Sequence, residues 1–136
     1  MTPDGTRRWL ITGANSGLGA AFTKAVLAEG DEVVAAVRRP ESMTDTAAAH
    51  PDRVQVVALD VRDAAAAERA VKEAGRIDVL VNNAGYLCAG AVEEISIAEA
   101  KAQFETNYFG VVRMSSGVLP GMRHKPLEHV PPCATT

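Results

Sequence analysis

Apolar positions along the chain fall into short runs separated by longer stretches of mixed polarity. Trp9 to Thr12, Val33 to Val37, Val54 to Leu59 and Ile77 to Val81 are four- to six-residue apolar runs, each rich in β-branched residues, and they read as buried strands. Helix-periodic segments lie between them. After the first run, Leu18, Ala21, Phe22, Ala25 and Val26 recur at i, i+3, i+4, i+7 and i+8, which predicts an amphipathic helix buried on that stripe and closed by Gly30. Glu41 to His50 is Ala-rich and only weakly helical. Asp63 can cap a helix from Ala64 to Ala74 that ends at Gly75. Ser96 and Glu99 form an S-x-x-E capping box for a long helix to about Leu119, with Pro120-Gly121 predicted to end it.

Strand and helix therefore alternate four times, the pattern of a doubly wound α/β fold with a parallel sheet. The first three strands predict spatial order 3-2-1. The fourth lies on the other side of the first, making the order 3-2-1-4 and putting a topological switch point between strands one and four. Val79-Leu80-Val81 is apolar on both faces, as suits a strand in a sheet interior.

The first strand runs directly into Thr12-Gly13-Ala14-Asn15-Ser16-Gly17-Leu18-Gly19. Strand, glycine-rich turn and helix N-terminus together make a place for a phosphate, because backbone N–H groups and the helix dipole converge there. Gly13 lets the chain reverse, Gly17 removes a side chain where a pyrophosphate approaches, and Gly19 lets the helix pack close to the strand. Taken alone, the turn could equally be a surface connection, and the remaining motifs decide between the two.

Those motifs occur in order. Leu59-Asp60-Val61 follows the third strand, Asn82-Asn83-Ala84-Gly85 the fourth, and Asn107 stands in Glu105-Thr106-Asn107-Tyr108-Phe109-Gly110. A carboxylate at a strand end beside a nucleotide cleft can accept from an adenine amine, or it can cap a turn. Asn82 and Asn83 suit close approach of a ribose or a plain turn. Asn107 shares a helix side with Ala100 and Phe104, so it is expected to be buried and to need hydrogen-bond partners.

With these four motifs the chain resembles the short-chain dehydrogenase/reductase family over about Arg8 to Arg123. The resemblance implies a Rossmann-type domain spanning residues 1–123 that binds a nicotinamide cofactor through Gly13, Asn15, Ser16, Gly17, Leu18, Gly19, Asp60, Val61, Asn83, Ala84 and Gly85. Asn107 stands where the family keeps an active-site asparagine. Val37 ends the second strand where an NAD site usually offers a carboxylate, and Arg38-Arg39 follow. A guanidinium is the natural fork for a 2′-phosphate, which favours NADP (NADPH) over NAD with Arg38 as its contact. The alternative is a solvated basic turn.

In the family, hydride transfer between cofactor and a carbonyl or secondary alcohol also uses a serine and a Tyr-x-x-x-Lys pair. The tyrosines here are Tyr86 and Tyr108, with Gly90 and Val112 four residues on, so that pair is missing from this sequence. Residues 124–136 hold three prolines and resemble no fifth strand; they are expected to be a disordered tail outside the family pattern. The segment Asp63 to Gly75 looks about one helical turn short.

Composition adds limits. Net charge is −3 and the two cysteines are too few for a disulfide scaffold. The acidic balance argues against nucleic acid or an anionic membrane as partner, and the polar N-terminus lacks a signal-peptide core. No metal is expected: His124, His129 and Cys133 lack a fourth ligand. The expected location is cytoplasmic and the expected substrate a small carbonyl or alcohol. Family members tend to form homo-oligomers, whereas the exposed fourth strand of this short chain is an aggregation hazard. Three functional readings stay open: a reductase half, a non-catalytic NADP(H)-binding chain, and an unstable product without function. The glycine turn with Asn82-Asn83-Ala84-Gly85 fits a methyltransferase poorly, and the lack of G-K-[ST] excludes a P-loop nucleotidase.

Overall fold

The computed structural model describes residues 5–123. The expectations for residues 124–136, including His124, His129 and Cys133, lie outside the described residues. Four strands, β1 (Arg8–Thr12), β2 (Glu32–Val37), β3 (Val54–Ala58) and β4 (Val79–Val81), form one parallel sheet of order β3-β2-β1-β4. The expected order is the observed one. Thr12 stands beside Ala36, and Ile11 beside Val81, so the C-terminal strand ends line up along one edge.

Because side chains alternate across a strand, neighbouring residues feed two cores. Leu10, Val34, Ala36 and Val57 pack with α3 (Ala64–Ala74) and α5 (Gly110–Arg123), where Ala67, Ala70, Met114 and Val118 are buried. Ile11, Val33, Ala35 and Val37 face α1 (Gly17–Ala28) and the 3-10 turn Pro40–Met43 that leads into α2 (Thr44–Ala49). Alanines line the inward face of α3, which brings the helix close to the sheet. β4 pairs only with β1, and its three residues are half-buried, so among the described residues it is an outer strand. Ile77 is buried but precedes it.

Asp31 and Asp78 tie the lower end of the sheet. Asp31 is buried and accepts from Arg7 N (2.9 Å), Arg7 Nε (3.0 Å) and the Trp9 indole N–H (2.9 Å). Burial alone would raise its carboxyl pKa; the donors from Arg7 and Trp9 outweigh that and hold it below the usual value. Asp78 Oδ2 accepts from Arg8 N at 2.8 Å.

Three local expectations change. The α1 stripe of Leu18, Ala21, Phe22 and Ala25 is exposed, with Leu18 70% accessible; the face toward the sheet is Gly19, Thr23, Val26 and Leu27. The close approach of Gly19 to the glycine turn sets the helix's rotation, and it overrides the larger side chains. Second, the helix opened by the Ser96–Glu99 capping box is interrupted: α4 (Ile97–Phe104) passes through a π-helical turn, Glu105–Phe109, before α5 begins. Third, Pro120 lies inside α5, which continues to Arg123. A proline in the last turn removes one backbone donor and forces no break further up. Among the described residues, no helix is long and apolar enough to cross a membrane.

Candidate functional site

Where β1 and β4 part, the sheet's C-terminal edge opens into a cleft of about 480 Å³, a size suited to a small ligand or cofactor. Its lining includes Gly13, Asn15 and Ser16 from the glycine turn, Arg38 after β2, Asp60 and Val61 after β3, and Asn83, Ala84 and Gly85 after β4. Nine of the sequence-predicted cofactor residues therefore meet in one place. Gly17, Leu18 and Gly19 stand at the N-terminus of α1 beside it, and Asn107 lies behind the wall that Tyr86 and Thr106 form.

Gly13 and Gly19 are required by geometry. Gly13 has φ +67°, and its N–H donates to Ala36 O at 2.8 Å. A Cβ on Gly19 would fall 2.5 Å from Asn83 Nδ2 and closer still to Gly13 O. Gly17 has φ +51° with open space around it, leaving the backbone bare. α3 and α4 have side-chain caps, Asp63 and Ser96, but Ser16 makes none for α1. The N–H groups in the first turn of α1 thus lack a side-chain partner and can receive an anion.

Thr12 and Asn83 lock the glycine turn to the end of β4. The Thr12 hydroxyl accepts from Asn83 N (3.0 Å) and Ala84 N (2.9 Å). Asn83 Nδ2 donates to Thr12 O (3.0 Å) and Gly13 O (3.2 Å). Asn83 therefore shapes the turn, with its amide N–H groups spent on backbone carbonyls. Asn82 is exposed and its Nδ2 donates to Ser115 Oγ at 3.2 Å.

The far end of the cleft is cationic. Arg38, Arg39 and Arg62 line it against a single lining carboxylate, Asp60. Asp60 accepts from Arg62 N (3.0 Å), Nε (3.0 Å) and NH2 (2.6 Å). The Arg62 guanidinium and N–H, helped by Arg38, draw its carboxyl down to about 2 against the opposing effect of burial. Asp60 is thus a charged acceptor at any physiological pH.

Asn107 and Phe104 are exposed rather than buried as expected: among the described residues nothing packs over this side of α4 and the π-turn. The Asn107 amide is nonetheless paired. Its Oδ1 accepts from Tyr86 N (3.0 Å) and its Nδ2 donates to Tyr86 O (2.7 Å), a two-way clamp on a residue that lines the cleft.

Thr12, Arg39, Arg62, Tyr86 and Thr106 were not among the expected site residues, yet all line the cleft. Each adjoins a motif that carried the reading: Thr12 opens the glycine turn, Arg62 follows Asp60 by two residues, Tyr86 follows Gly85, and Thr106 precedes Asn107. A second depression of about 580 Å³ between α1 and α2 has an apolar floor that includes Leu27 and Met43, and it shares Asn15 with the cleft.

Comparison with known proteins agrees with this architecture. Residues 7–127 match the family described as short chain dehydrogenase. An oxidoreductase of Botryotinia fuckeliana, BOA17, is 44% identical over 92% of this chain and 47% of its own length. The NADP-dependent 3-hydroxy acid dehydrogenase YdfG of Shigella flexneri is 34% identical over 89% of this chain and 51% of its own. A solved short-chain dehydrogenase from Streptomyces avermitilis superposes with a TM-score of 0.84 at 41% identity, covering 88% of this chain and 45% of that one. The chain spans about half the length of the curated relatives it matches.

Proposed function

The chain belongs to the short-chain dehydrogenase family, and from that premise we propose that residues 1–123 are its NADP(H)-binding domain, serving hydride transfer between the nicotinamide and a carbonyl or secondary alcohol. The observation that carries the cofactor choice is the charge at the adenosine end of the cleft: β2 ends in Val37 with Arg38 and Arg39 beyond, and Arg62, paired with Asp60, lines the same cleft. A site built for two free ribose hydroxyls would gain from a carboxylate at that strand end; the Arg38 and Arg39 guanidiniums there suit an added phosphate. YdfG, an NADP-dependent relative by name, lends support.

The residues present fit the cofactor. The bare glycine turn and uncapped α1 would hold the pyrophosphate, Arg38 the 2′-phosphate, and Asp60 with Val61 the adenine. Bound NADPH supplies the hydride. Asn107 orients the Tyr86 backbone at the cleft wall and so acts as a positioning residue. With no Tyr-x-x-x-Lys in its 136 residues, this sequence binds NADPH without turning over a carbonyl by itself. A cytoplasmic location accompanies this reading, as does the family's tendency to form homo-oligomers.

Titration of NADPH and NADH, followed by Trp9 quenching or reduced-nicotinamide emission, tests it. NADPH should bind at least about tenfold tighter than NADH, a margin of ~1.4 kcal/mol, and Arg38→Ala should abolish the difference. Equal affinity would refute the NADP preference; no saturable binding at millimolar cofactor would refute the site.

A further inference from the structure

Arg113 does not line the cleft, yet it is the side chain that joins two of its walls. Its NH1 donates to Val61 O at 3.2 Å, and its NH2 pairs with the Glu105 carboxylate. Val61 is buried between Asp60 and Arg62 in the turn after β3, and both neighbours line the cleft. Glu105 opens the π-turn that carries Thr106 at the cleft and Asn107 against Tyr86. One guanidinium thus spans from the adenine-end loop to the opposite wall.

The π-turn makes this possible. In an uninterrupted α-helix, residues eight apart are turned through about 800°, roughly 80° out of line. A π-turn absorbs one extra residue, so the step from Glu105 to Arg113 behaves like a seven-residue step, only about 20° from alignment. The bulge therefore brings carboxylate and guanidinium onto one helix face. Close packing fixes that face against the loop: a Cβ on Gly110 would come within 2.7 Å of Val61 Cγ2.

We propose that Arg113 is a positioning residue for the cofactor site, holding the Asp60–Val61–Arg62 loop at the spacing from the π-turn that the adenosine half of the cofactor requires. The inference rests on the cofactor reading above. It assigns the π-turn a purpose, which is to aim Arg113.

The test is calorimetric titration of 2′,5′-ADP, which probes the adenosine end alone, with amide exchange at Arg62 as a second readout. Arg113→Ala should weaken binding about tenfold and speed exchange of the Arg62 N–H, which Asp60 Oδ1 now accepts. Arg113→Lys, unable to fork to both partners, should recover only part of the affinity. Val118→Ala, in the core five residues further along the same helix, should lower the melting temperature yet leave the affinity within about twofold. If Arg113→Ala does not fold, Glu105→Gln carries the test, with an expected loss of about threefold. Unchanged affinity in the variants beside a binding wild type overturns the role of Arg113 alone. A wild type that binds neither 2′,5′-ADP nor NADPH overturns the cofactor reading, and this inference with it.

Discussion

Gly19→Ala tests the closest backbone approach found at any of the described glycines. The new methyl would lie 2.5 Å from Asn83 Nδ2, which two hydrogen bonds hold in place, and nearer to Gly13 O, a backbone atom. Ordinary contact is about 3.5 Å, so the Asn83 amide must retreat by about 1 Å and the turn must shift with it. That breaks the Asn83 bonds to Thr12 O and Gly13 O, now 3.0 and 3.2 Å, at about 0.5–1.5 kcal/mol each. Overpacking adds about 1–3 kcal/mol, and the better helix propensity of alanine returns about 1 kcal/mol. The expected net loss is about 1–5 kcal/mol, or roughly 0.5–2.5 M in urea midpoint at a slope of about 2 kcal/mol/M. Trp9 is the natural reporter: its indole is bonded to Asp31 and lies 5.2 Å from the Arg7 guanidinium. Gly17→Ala is the comparison, with φ +51° but no clash, and should cost only about 1–2 kcal/mol. NADPH affinity should fall in the Gly19 variant along with stability. A midpoint within about 0.3 M of wild type, or a larger loss for Gly17→Ala, would refute the claim that close backbone approach sets the turn.

Two further outcomes follow from the site. Asn107→Ala removes both bonds to the Tyr86 backbone and should cost about 1–2 kcal/mol locally; hydrogen exchange at the Tyr86 amide should quicken, and unchanged protection there would disprove the clamp. Asp60 titrates at about 2 in the folded chain and at about 3.9 unfolded. Its contribution to stability is therefore complete above pH ~4 and lost as pH falls toward ~2, modestly because its side chain is one-third exposed. Arg62→Ala should return the Asp60 carboxyl toward the ordinary range in a carbon-13 NMR titration. A value still near 2 would mean that Arg62 is not the cause.

The local patterns in this chain were legible wherever one residue's own chemistry sets the backbone. The apolar runs, the Asp63 and Ser96 caps and the glycine turn all do so, and alternation of strand and helix then leaves few topologies. The order β3-β2-β1-β4 and the meeting of nine expected residues at one cleft followed from that. Relationships between elements were not legible. The rotation of α1 is not legible in the apolar pattern, where the stripe of Leu18, Ala21, Phe22 and Ala25 outweighs Gly19, while in space the absence of a side chain at Gly19 decides which face fits. The π-turn left no mark either, since Glu105 to Phe109 reads as ordinary helix, and the close packing of Gly110 on Val61 beside it is seen only in the folded chain. Arg113 acquired its partners, Val61 O and the Glu105 carboxylate, through packing and the π-turn, which bring the loop after β3 and the opposite wall together. Sequence alone determined the strands, the helices between them and their order, because local patterning sets them; tertiary contact determined which faces turn inward and how the walls of the cleft are tied together.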